Sequence, residues 1–375
     1  MHRVVICGAG FGGIATAAAL RRGTSLGDLE IVLIDRGDDF VMGLRKTWAV
    51  LGTGTLNEGR RKLDRIGGVQ FVQGEIEHID AAGRSVTVGG RSIAGDALVL
   101  ALGARHDMDS VPGLAARGIN VWDRAHVDRA RSALAGLGTG RVVVGIFGLP
   151  YSCPPAPFEL ALLARERLGP EVELSVFSPA PMALPVVGAQ ESAKVERLLE
   201  EQHISFLPGH QAAAVAEDQV EFTNGARVAF DVLLAVPAHR CPQVLVDAGL
   251  AEPGGWIKPD LRTLRTTHAD VYAIGDCTVI GLSNGLPMPK AGIFAELEGE
   301  VVAARIAAAL GGREPSATFA GEARCFLETG HGKAARAGGA FLADPVAVTI
   351  SEPTADAFNE KLEFERSRLQ SWFRH

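Results

Sequence analysis

The chain has 375 residues, 47% of them hydrophobic, and a formal net charge of −7 at pH 7. This length is enough to bury a large core, and two or three domains are expected. An acidic balance without a basic block argues against a nucleic-acid partner. Five scattered cysteines without a CxxC pair argue against a disulfide scaffold or a zinc site, and no metal is predicted.

The N-terminal residues MHRVVICGAG enter an apolar run at once and leave no room for a secretory signal. No window approaches the roughly 18 uninterrupted apolar residues of a membrane-spanning helix. We therefore expect a cytoplasmic protein. Peripheral contact with the inner face of the membrane is an open alternative.

A dinucleotide-binding βαβ unit is predicted at the N-terminus. The apolar run Val4–Cys7 is followed by the loop GAGFGG, which contains Phe11, then by an alanine-rich helical segment and a second run ending at Asp35. In this pattern, Gly8 allows the tight turn, Gly10 lets the backbone approach a pyrophosphate, and Gly13 lets the helix lie close to the sheet. Asp35 is placed to accept hydrogen bonds from a ribose.

Two later segments indicate which dinucleotide binds. DALVLALGA at 96–104 and VYAIGD at 271–276 resemble signature stretches of flavoproteins with two dinucleotide-binding domains. The resemblance implies FAD, contacted by Ala101 and Gly103 of the first segment and by Gly275 and Asp276 of the second. Asp276 would bind the ribityl chain.

The order of elements predicts an α/β protein with two Rossmann-like three-layer domains and a small C-terminal α+β region. Because the FAD-type segments lie on both sides of a second run of alternating strands and helices, the second domain is expected to be inserted into the first. The predicted bounds are 1–110 and 250–313 for the FAD domain, 111–249 for the second domain and 314–375 for the C-terminal region.

The loop after the predicted strand Arg141–Phe147 is a poor nucleotide loop. It reads GIFGLP, with Phe147 where a glycine would let a phosphate approach and Pro150 where a third glycine would stand. The next strand ends at Ser178 and not at a carboxylate. A nicotinamide nucleotide is therefore not expected in this domain.

This loop continues as PYSCPPAPFE and carries a cysteine. If Pro154 and Pro155 take the first helical positions, Cys153 lies at or near the helix N-cap, where the helix dipole would lower the pKa of its thiol. Cys153 is then a candidate nucleophile. The alternative is a small buried residue that fills space under the turn.

With the Cys-Pro-Pro turn beside a single FAD fingerprint, the chain resembles the sulfide:quinone oxidoreductase and flavocytochrome c sulfide dehydrogenase flavoproteins. GDCT at 275–278, PKAGIFAELEGEVVA at 289–303, CFLETGHGKA at 325–334 and FERSRLQSWF at 364–373 extend the resemblance over nearly the whole chain. The last four segments are shared with flavoproteins that resemble type II NADH dehydrogenase.

The resemblance implies a redox pair formed by Cys153 and Cys325 on one face of the flavin. Sulfide, or a related small thiol or sulfur species, would attack the pair and form a persulfide on Cys153. The thiolate freed at Cys325 would then pass two electrons to FAD. A quinone or a redox protein would accept the electrons.

Three further residues are implied on the same basis. Glu159 would relay protons, or it is an exposed helical carboxylate. Lys290 would stabilise the reduced flavin, or it is a solvated lysine. Gly292 starts a helix whose N-terminus would face the cofactor.

The sequence also departs from the family pattern. No third cysteine lies between Cys7 and Cys153, and no long amphipathic C-terminal anchor is evident. Trp372 and Phe373 are expected to form a packing lid or a homodimer contact. Two alternatives stay open: a type II NADH:quinone dehydrogenase, and an electron-transfer subunit that acts with a cytochrome.

Overall fold

The computed structural model describes residues 1–23 and 29–373. Two parallel five-stranded sheets, each covered on both faces, form its bulk. The strands in chain order are β1 His2–Cys7, β2 Leu29–Asp35, β3 Asp39–Val41, β4 Arg60–Lys62, β5 Gln70–Gln73, β6 Ile76–Asp80, β7 Ser85–Val88, β8 Arg91–Ala94, β9 Ala97–Leu100, β10 Arg105–Asp107, β11 Ile119–Asn120, β12 Gly140–Ile146, β13 Val172–Phe177, β14 Ile204–Leu207, β15 Ala212–Val215, β16 Gln219–Phe222, β17 Arg227–Ala229, β18 Val232–Val236, β19 Ala238–Arg240, β20 Val271–Ala273, β21 Glu322–Gly330, β22 Lys333–Ala340 and β23 Ala347–Ile350.

The α-helices in the described residues are α1 Phe11–Gly23, α2 Arg45–Leu51, α3 Leu114–Arg117, α4 Val127–Leu134, α5 Ala156–Leu168, α6 Ala189–Glu201, α7 Gln243–Asp247, α8 Gly292–Leu310 and α9 Ala355–Trp372. Short 3₁₀ turns occur at Leu56–Gly59, Leu63–Arg65, Arg124–His126, Pro185–Val187 and Gly275–Cys277.

The first sheet has the strand order β20-β9-β1-β2-β5, and all its pairs are parallel. Helices α1 and α8 cover one face, and the antiparallel sheet β6-β7-β8 covers the other. The two helices meet at glycines, since a Cβ on Gly299 would lie 2.6 Å from the carbonyl oxygen of Gly12. Because β20 follows the second sheet in the chain, the first domain is discontinuous.

The second sheet has the order β11-β18-β12-β13-β14 and is also parallel. Along β12, Val142 and Val144 pack toward α4, α5 and α6, and Val143 packs toward the antiparallel sheet β15-β16-β17. Burial on both faces explains why this strand reads as a continuous apolar run. The antiparallel ribbon of β10 and β19 connects the two domains.

The C-terminal region consists of the antiparallel sheet β21-β22-β23 and α9, which the Thr354 hydroxyl caps by accepting from the Ala357 amide. At the far end of α9, Trp372 is buried edge-on against Phe11 and Phe40, with ring centroids 5.5 and 5.8 Å away. Trp372 thus packs inside the chain as a lid. In the described part of the chain, no helix is long and apolar enough to cross a bilayer.

The predicted fold class is confirmed: two Rossmann-like domains, the second inserted into the first, and a small α+β region. The domain limits at residues 110, 249 and 313 stay predictions.

Candidate active site

A cavity of about 330 Å³ lies where the two Rossmann-like domains and the C-terminal sheet meet. It brings together most of the site residues predicted from the sequence: Gly10, Phe11, Ala101, Gly103, Cys153, Glu159, Gly275, Asp276, Gly292 and Cys325. The remaining predicted residues, Gly8, Gly13, Asp35 and Lys290, lie behind or beside the cavity wall. The loops that follow parallel strands all lie at the carboxyl edge of the sheet. These segments therefore meet although they are distant in sequence.

The glycine-rich loop has the geometry that its spacing predicts. Gly8 has a φ of 102°, and a Cβ there would lie 2.2 Å from the Ala101 carbonyl oxygen. A Cβ on Gly13 would lie 1.8 Å from the Gly8 carbonyl oxygen. Around Gly10, in contrast, no protein atom lies within 4 Å of where a Cβ would stand. The loop is closed on its protein side and open at Gly10, as a bound pyrophosphate requires.

Asp35 holds the loop in place. Its Oδ2 accepts a hydrogen bond from the Ala9 amide at 2.7 Å, and its Oδ1 accepts one from the Gly37 amide at 2.8 Å. Its predicted contact with a ribose stays a prediction. Each carboxylate oxygen can accept a second hydrogen bond, so both roles are compatible.

A second part of the cavity wall fits the polar chain of a dinucleotide. The Asp276 carboxylate lines this wall, and within the described residues no donor hydrogen-bonds it. Burial raises its pKa, although Lys290 and Lys46 act in the opposite direction. An unpartnered, half-buried carboxylate matches the hydroxyl groups of a ribityl chain. The N-termini of α1 and α8 also face the cavity and suit phosphate groups.

The Cys153 backbone is held in an unusual conformation. Its φ is 55°, in the left-handed region that few residues other than glycine adopt. Its amide donates to the Lys290 carbonyl at 2.6 Å, and the preceding carbonyl, of Ser152, accepts from the Trp122 indole at 2.9 Å. Strain maintained by surrounding contacts is typical of functional positions.

Cys153 lies near the start of α5, as expected, but not at the N-cap, which is Pro155, two residues later. The expected lowering of the thiol pKa is wrong: desolvation raises the pKa of Cys153 to about 11, Glu159 acts in the same direction, and Lys361 and Lys46 act against it. The side chain is nevertheless accessible from the cavity.

Cys325, on β21, lines the same cavity as Cys153. Burial raises the pKa of Cys325 to about 12, and the neighbouring Cys153 thiol adds to the shift. Both cysteines are free thiols in this structure. The fold therefore places the two predicted redox cysteines within electrostatic reach of each other, and their pairing stays a prediction.

Glu159 is not the exposed helical carboxylate that one interpretation expected. It is 5% exposed, and its carboxylate accepts from Lys361 Nζ at 2.8 Å and from the Glu328 amide at 2.9 Å. Lys361 also donates to Glu328 Oε2 at 2.7 Å, and the Trp48 indole donates to the same oxygen at 2.8 Å. Burial raises the pKa of Glu159 despite the attraction of Lys361.

Lys290 is buried beside the cavity and is not a solvated surface lysine. Its ammonium donates to the carbonyls of Asp276 and Thr278, each at 2.7 Å, and lies 3.4 Å from the centroid of the Trp256 ring. Burial lowers its pKa to about 8. Lys290 thus fixes the Asp276 segment through its side chain and the Cys153 segment through its backbone.

Two of the cavity-lining residues that sequence reasoning missed contact each other. Lys46, on α2, donates to the Trp122 carbonyl at 2.7 Å, and both residues line the cavity. No motif marks either position, because their role depends on contacts between the two domains.

A further group missed from the sequence lies behind the cysteine turn. His239 Nδ1 contacts the Pro237 carbonyl at 2.9 Å, and its Nε2 contacts Ser152 Oγ at 2.9 Å. Because a carbonyl only accepts, Nδ1 carries the proton of the neutral ring, and the Ser152 hydroxyl donates to Nε2. Burial lowers the pKa of His239 to about 3, with His106 acting in the same direction.

The loop at the end of β12 is closed to a phosphate. Phe147 is 2% exposed, and its ring packs edge-on against Phe177 with centroids 5.1 Å apart. These rings occupy the region in which a nucleotide loop would need open backbone. In the described residues, no group of three or more His, Cys, Asp and Glu side chains could hold a metal ion.

Fold and cavity together define an FAD-binding flavoprotein with two Rossmann-like domains. When bound, FAD supplies an acceptor for two electrons. The chain belongs to the pyridine nucleotide-disulphide oxidoreductase family, whose model matches residues 2–304. The expected class of FAD flavoproteins with two dinucleotide-binding domains and the expected cofactor are thereby confirmed.

Individual relatives are more distant. The mitochondrial sulfide:quinone oxidoreductase of Schizosaccharomyces pombe is 22% identical over 372 residues, which cover 88% of this chain and 79% of that protein. An NADH dehydrogenase-like protein of Mycobacterium tuberculosis is 30% identical over 248 residues, which cover 61% of this chain and 60% of the relative.

Among solved structures, the sulfide:quinone oxidoreductase of Aquifex aeolicus matches with a TM-score of 0.89 and 24% identity. The match covers 100% of this chain and 92% of that chain. The likeness extends the agreement in fold to the C-terminal region, beyond the residues that the family model matches.

Proposed function

We propose that this protein is an FAD-dependent oxidoreductase that oxidises sulfide, or a related small sulfur species, through Cys153 and Cys325 and passes the electrons to a quinone. The observation that carries the proposal is the placement of both cysteines on the wall of the cavity that would hold the flavin. Sulfide:quinone oxidoreductases among the relatives and solved structures support the substrate and the acceptor.

The chemistry starts from the oxidised pair. Hydrosulfide attacks Cys153, a sulfur–sulfur bond forms, the bond between Cys153 and Cys325 breaks, and Cys325 leaves as a thiolate. A second hydrosulfide removes the outer sulfur of the Cys153 persulfide as disulfanide. Reclosing the pair would release one proton and two electrons, which FAD would accept when bound, so that two hydrosulfide ions yield one disulfanide ion, one proton and two electrons.

The raised thiol pKa values suit this sequence of steps. At neutral pH, a cysteine with a pKa of about 11 is mostly protonated, so an idle Cys153 is a weak nucleophile. The attacking group is then the sulfur substrate and not the cysteine. Glu159 lines the cavity and acts electrostatically on the Cys153 thiol, so it is the carboxylate that we propose exchanges protons with the thiols.

The test is anaerobic mixing of the oxidised FAD protein with sulfide, followed by flavin absorbance. We expect sulfide to bleach the flavin, and the Cys153→Ser and Cys325→Ser variants to bleach no faster than FAD free in solution. Cys241→Ser is the matched control, because Cys241 is half-buried and does not line the cavity. Equal rates in the parent and in Cys153→Ser would rule out the thiol mechanism.

A parallel mixing experiment with NADH tests the alternative of an NADH dehydrogenase, which the Mycobacterium tuberculosis relative favours. We expect NADH to reduce the flavin poorly, because Phe147 fills the second nucleotide loop. Rapid bleaching by NADH with none by sulfide would favour that alternative.

The acceptor and the location complete the proposal. A quinone is the expected acceptor, and turnover with a soluble quinone after sulfide reduction tests it. Inactivity toward quinones together with co-purification of a cytochrome would favour the electron-transfer subunit. A cytoplasmic location, peripheral membrane contact and a homodimer stay predictions, which cell fractionation and light scattering would test.

A further inference from the structure

Lys46 is a cation whose charge no near neighbour neutralises. Its ammonium donates to the Trp122 carbonyl, and among the described residues it forms no ion pair within 4 Å. Lys290 also forms no ion pair within 4 Å among the described residues, but two backbone carbonyls and the Trp256 ring hold its ammonium. Two further cations near Cys153 have carboxylate partners. Lys361 is held by two carboxylates, and Arg324 has a largely exposed side chain 3.9 Å from Glu360.

The position of Lys46 links it to the reactive cysteine. The Lys46 ammonium holds the backbone of Trp122 at 2.7 Å, and the Trp122 indole holds the carbonyl that precedes Cys153 at 2.9 Å. Lys46, Trp122 and Cys153 line one cavity, and the charge of Lys46 acts on the Cys153 thiol. Burial lowers the pKa of Lys46, and the Cys153 thiol and the carboxylates of Asp123 and Asp276 act against that shift and favour the charged form.

We propose that Lys46 is the anion-binding residue of the sulfur site, and that its ammonium holds hydrosulfide, or another small sulfur anion, against Cys153. This inference rests on the proposed function and specifies the ionic form of its substrate. A small anion that enters the cavity meets an unpaired charge beside the cysteine, and an enclosed site strengthens that attraction relative to water. The same charge stabilises the persulfide anion that forms on Cys153.

Alkylation of Cys153 tests the charge without relying on turnover. The reduced FAD protein is treated with anionic iodoacetate or with neutral iodoacetamide, and modification of the Cys153 peptide is followed by mass spectrometry. The measured quantity is the alkylation ratio, the rate with iodoacetate divided by the rate with iodoacetamide. We expect this ratio to be about tenfold lower in Lys46→Met than in the parent, which is the low end of electrostatic focusing in clefts. Lys46→Arg should keep most of the ratio, and the exposed Lys333→Met serves as the control.

Sulfide reduction provides the second readout. In Lys46→Met, the sulfide concentration that gives half the maximal bleaching rate should rise by about tenfold, with the limiting rate largely kept. An unchanged alkylation ratio in Lys46→Met would overturn the inference, and normal bleaching by sulfide would leave the proposed function intact. Loss of FAD from Lys46→Met, with Lys46→Arg fully loaded, would also overturn it, because the charge would then serve the cofactor.

The two proposals fail in different ways. A parent protein that sulfide does not bleach would overturn the proposed function. If the alkylation ratio were nevertheless lower in Lys46→Met than in that parent, an anion site at Cys153 would still be established.

Discussion

Lys361, near the middle of the C-terminal helix, donates a hydrogen bond at 2.8 Å to Glu159, which lies 202 residues earlier on the helix that follows the cysteine turn. The lysine is 0% exposed and also donates to Glu328 at 2.7 Å. This buried bridge ties α9 and β21 to the domain that carries Cys153. The C-terminal region therefore stabilises the wall of the cavity in addition to supplying Cys325.

Replacing Lys361 tests that bridge. Lys361→Met leaves two buried carboxylates without their cation, and we expect the free energy of unfolding to fall by about 3–5 kcal/mol. Urea unfolding of the FAD-loaded protein, followed by circular dichroism, measures the change. The exposed Lys333→Met is the matched control and should alter stability by less than about 0.5 kcal/mol. A similarly small change in Lys361→Met would show that the bridge contributes little.

The glycine loop allows stability and cofactor binding to be separated. Gly10→Ala places a methyl group where no protein atom lies within 4 Å, whereas Gly13→Ala places one 1.8 Å from the Gly8 carbonyl oxygen. We expect Gly10→Ala to keep its thermal stability without cofactor but to bind FAD at least about tenfold more weakly, or ~1.4 kcal/mol. Gly13→Ala should lose about 1–3 kcal/mol of stability through overpacking.

Flavin titration and thermal unfolding of the two glycine variants give both quantities. Undiminished FAD binding by Gly10→Ala would mean that the pyrophosphate does not approach the loop at this position.

Glu298 predicts a pH dependence of stability. It is 3% exposed, accepts from the Gly275 amide at 2.6 Å, and burial raises its pKa from 4.5 to about 8. Between these two values the folded state keeps a proton that the unfolded state has released. Stability should therefore fall as the pH rises from about 4.5 to 8 and show no further change from this group above pH 8.

Glu298→Gln removes that titration and keeps an oxygen that can accept from Gly275. We expect the difference in urea midpoint between pH 6 and pH 8.5 to be smaller in Glu298→Gln than in the parent. The exposed neighbour Glu300→Gln is the control and should behave as the parent. If Glu298→Gln and the parent lose the same stability over this interval, Glu298 is already ionised at pH 6.

The local pattern of the chain predicted the FAD domain because its determinants are local. Gly8, Gly10 and Gly13 are fixed by the backbone geometry of one turn, and their spacing reports that geometry directly. The loss of the second nucleotide loop could be predicted for the same reason. Phe147 and Pro150 replace glycines, and each acts on the backbone at its own position. Cys153 was found through its turn, and Cys325 only through resemblance to a family.

The electrostatics of the site could not be predicted in this way. Cys153 precedes the N-cap of α5 by two residues, and desolvation at the cavity wall together with the nearby Glu159 raises the pKa of its thiol. Lys46 and Lys361 carry no motif. Each matters through contacts with segments distant in sequence.

The sequence by itself determined the two Rossmann-like domains, the FAD site and Cys153 as a candidate thiol, because periodicity, glycine spacing and turn residues act over a few neighbouring positions. Only the tertiary structure decided which charges face those thiols. Desolvation and Coulomb interactions depend on distance through space, and that distance is set when the domains and the C-terminal sheet close around one cavity.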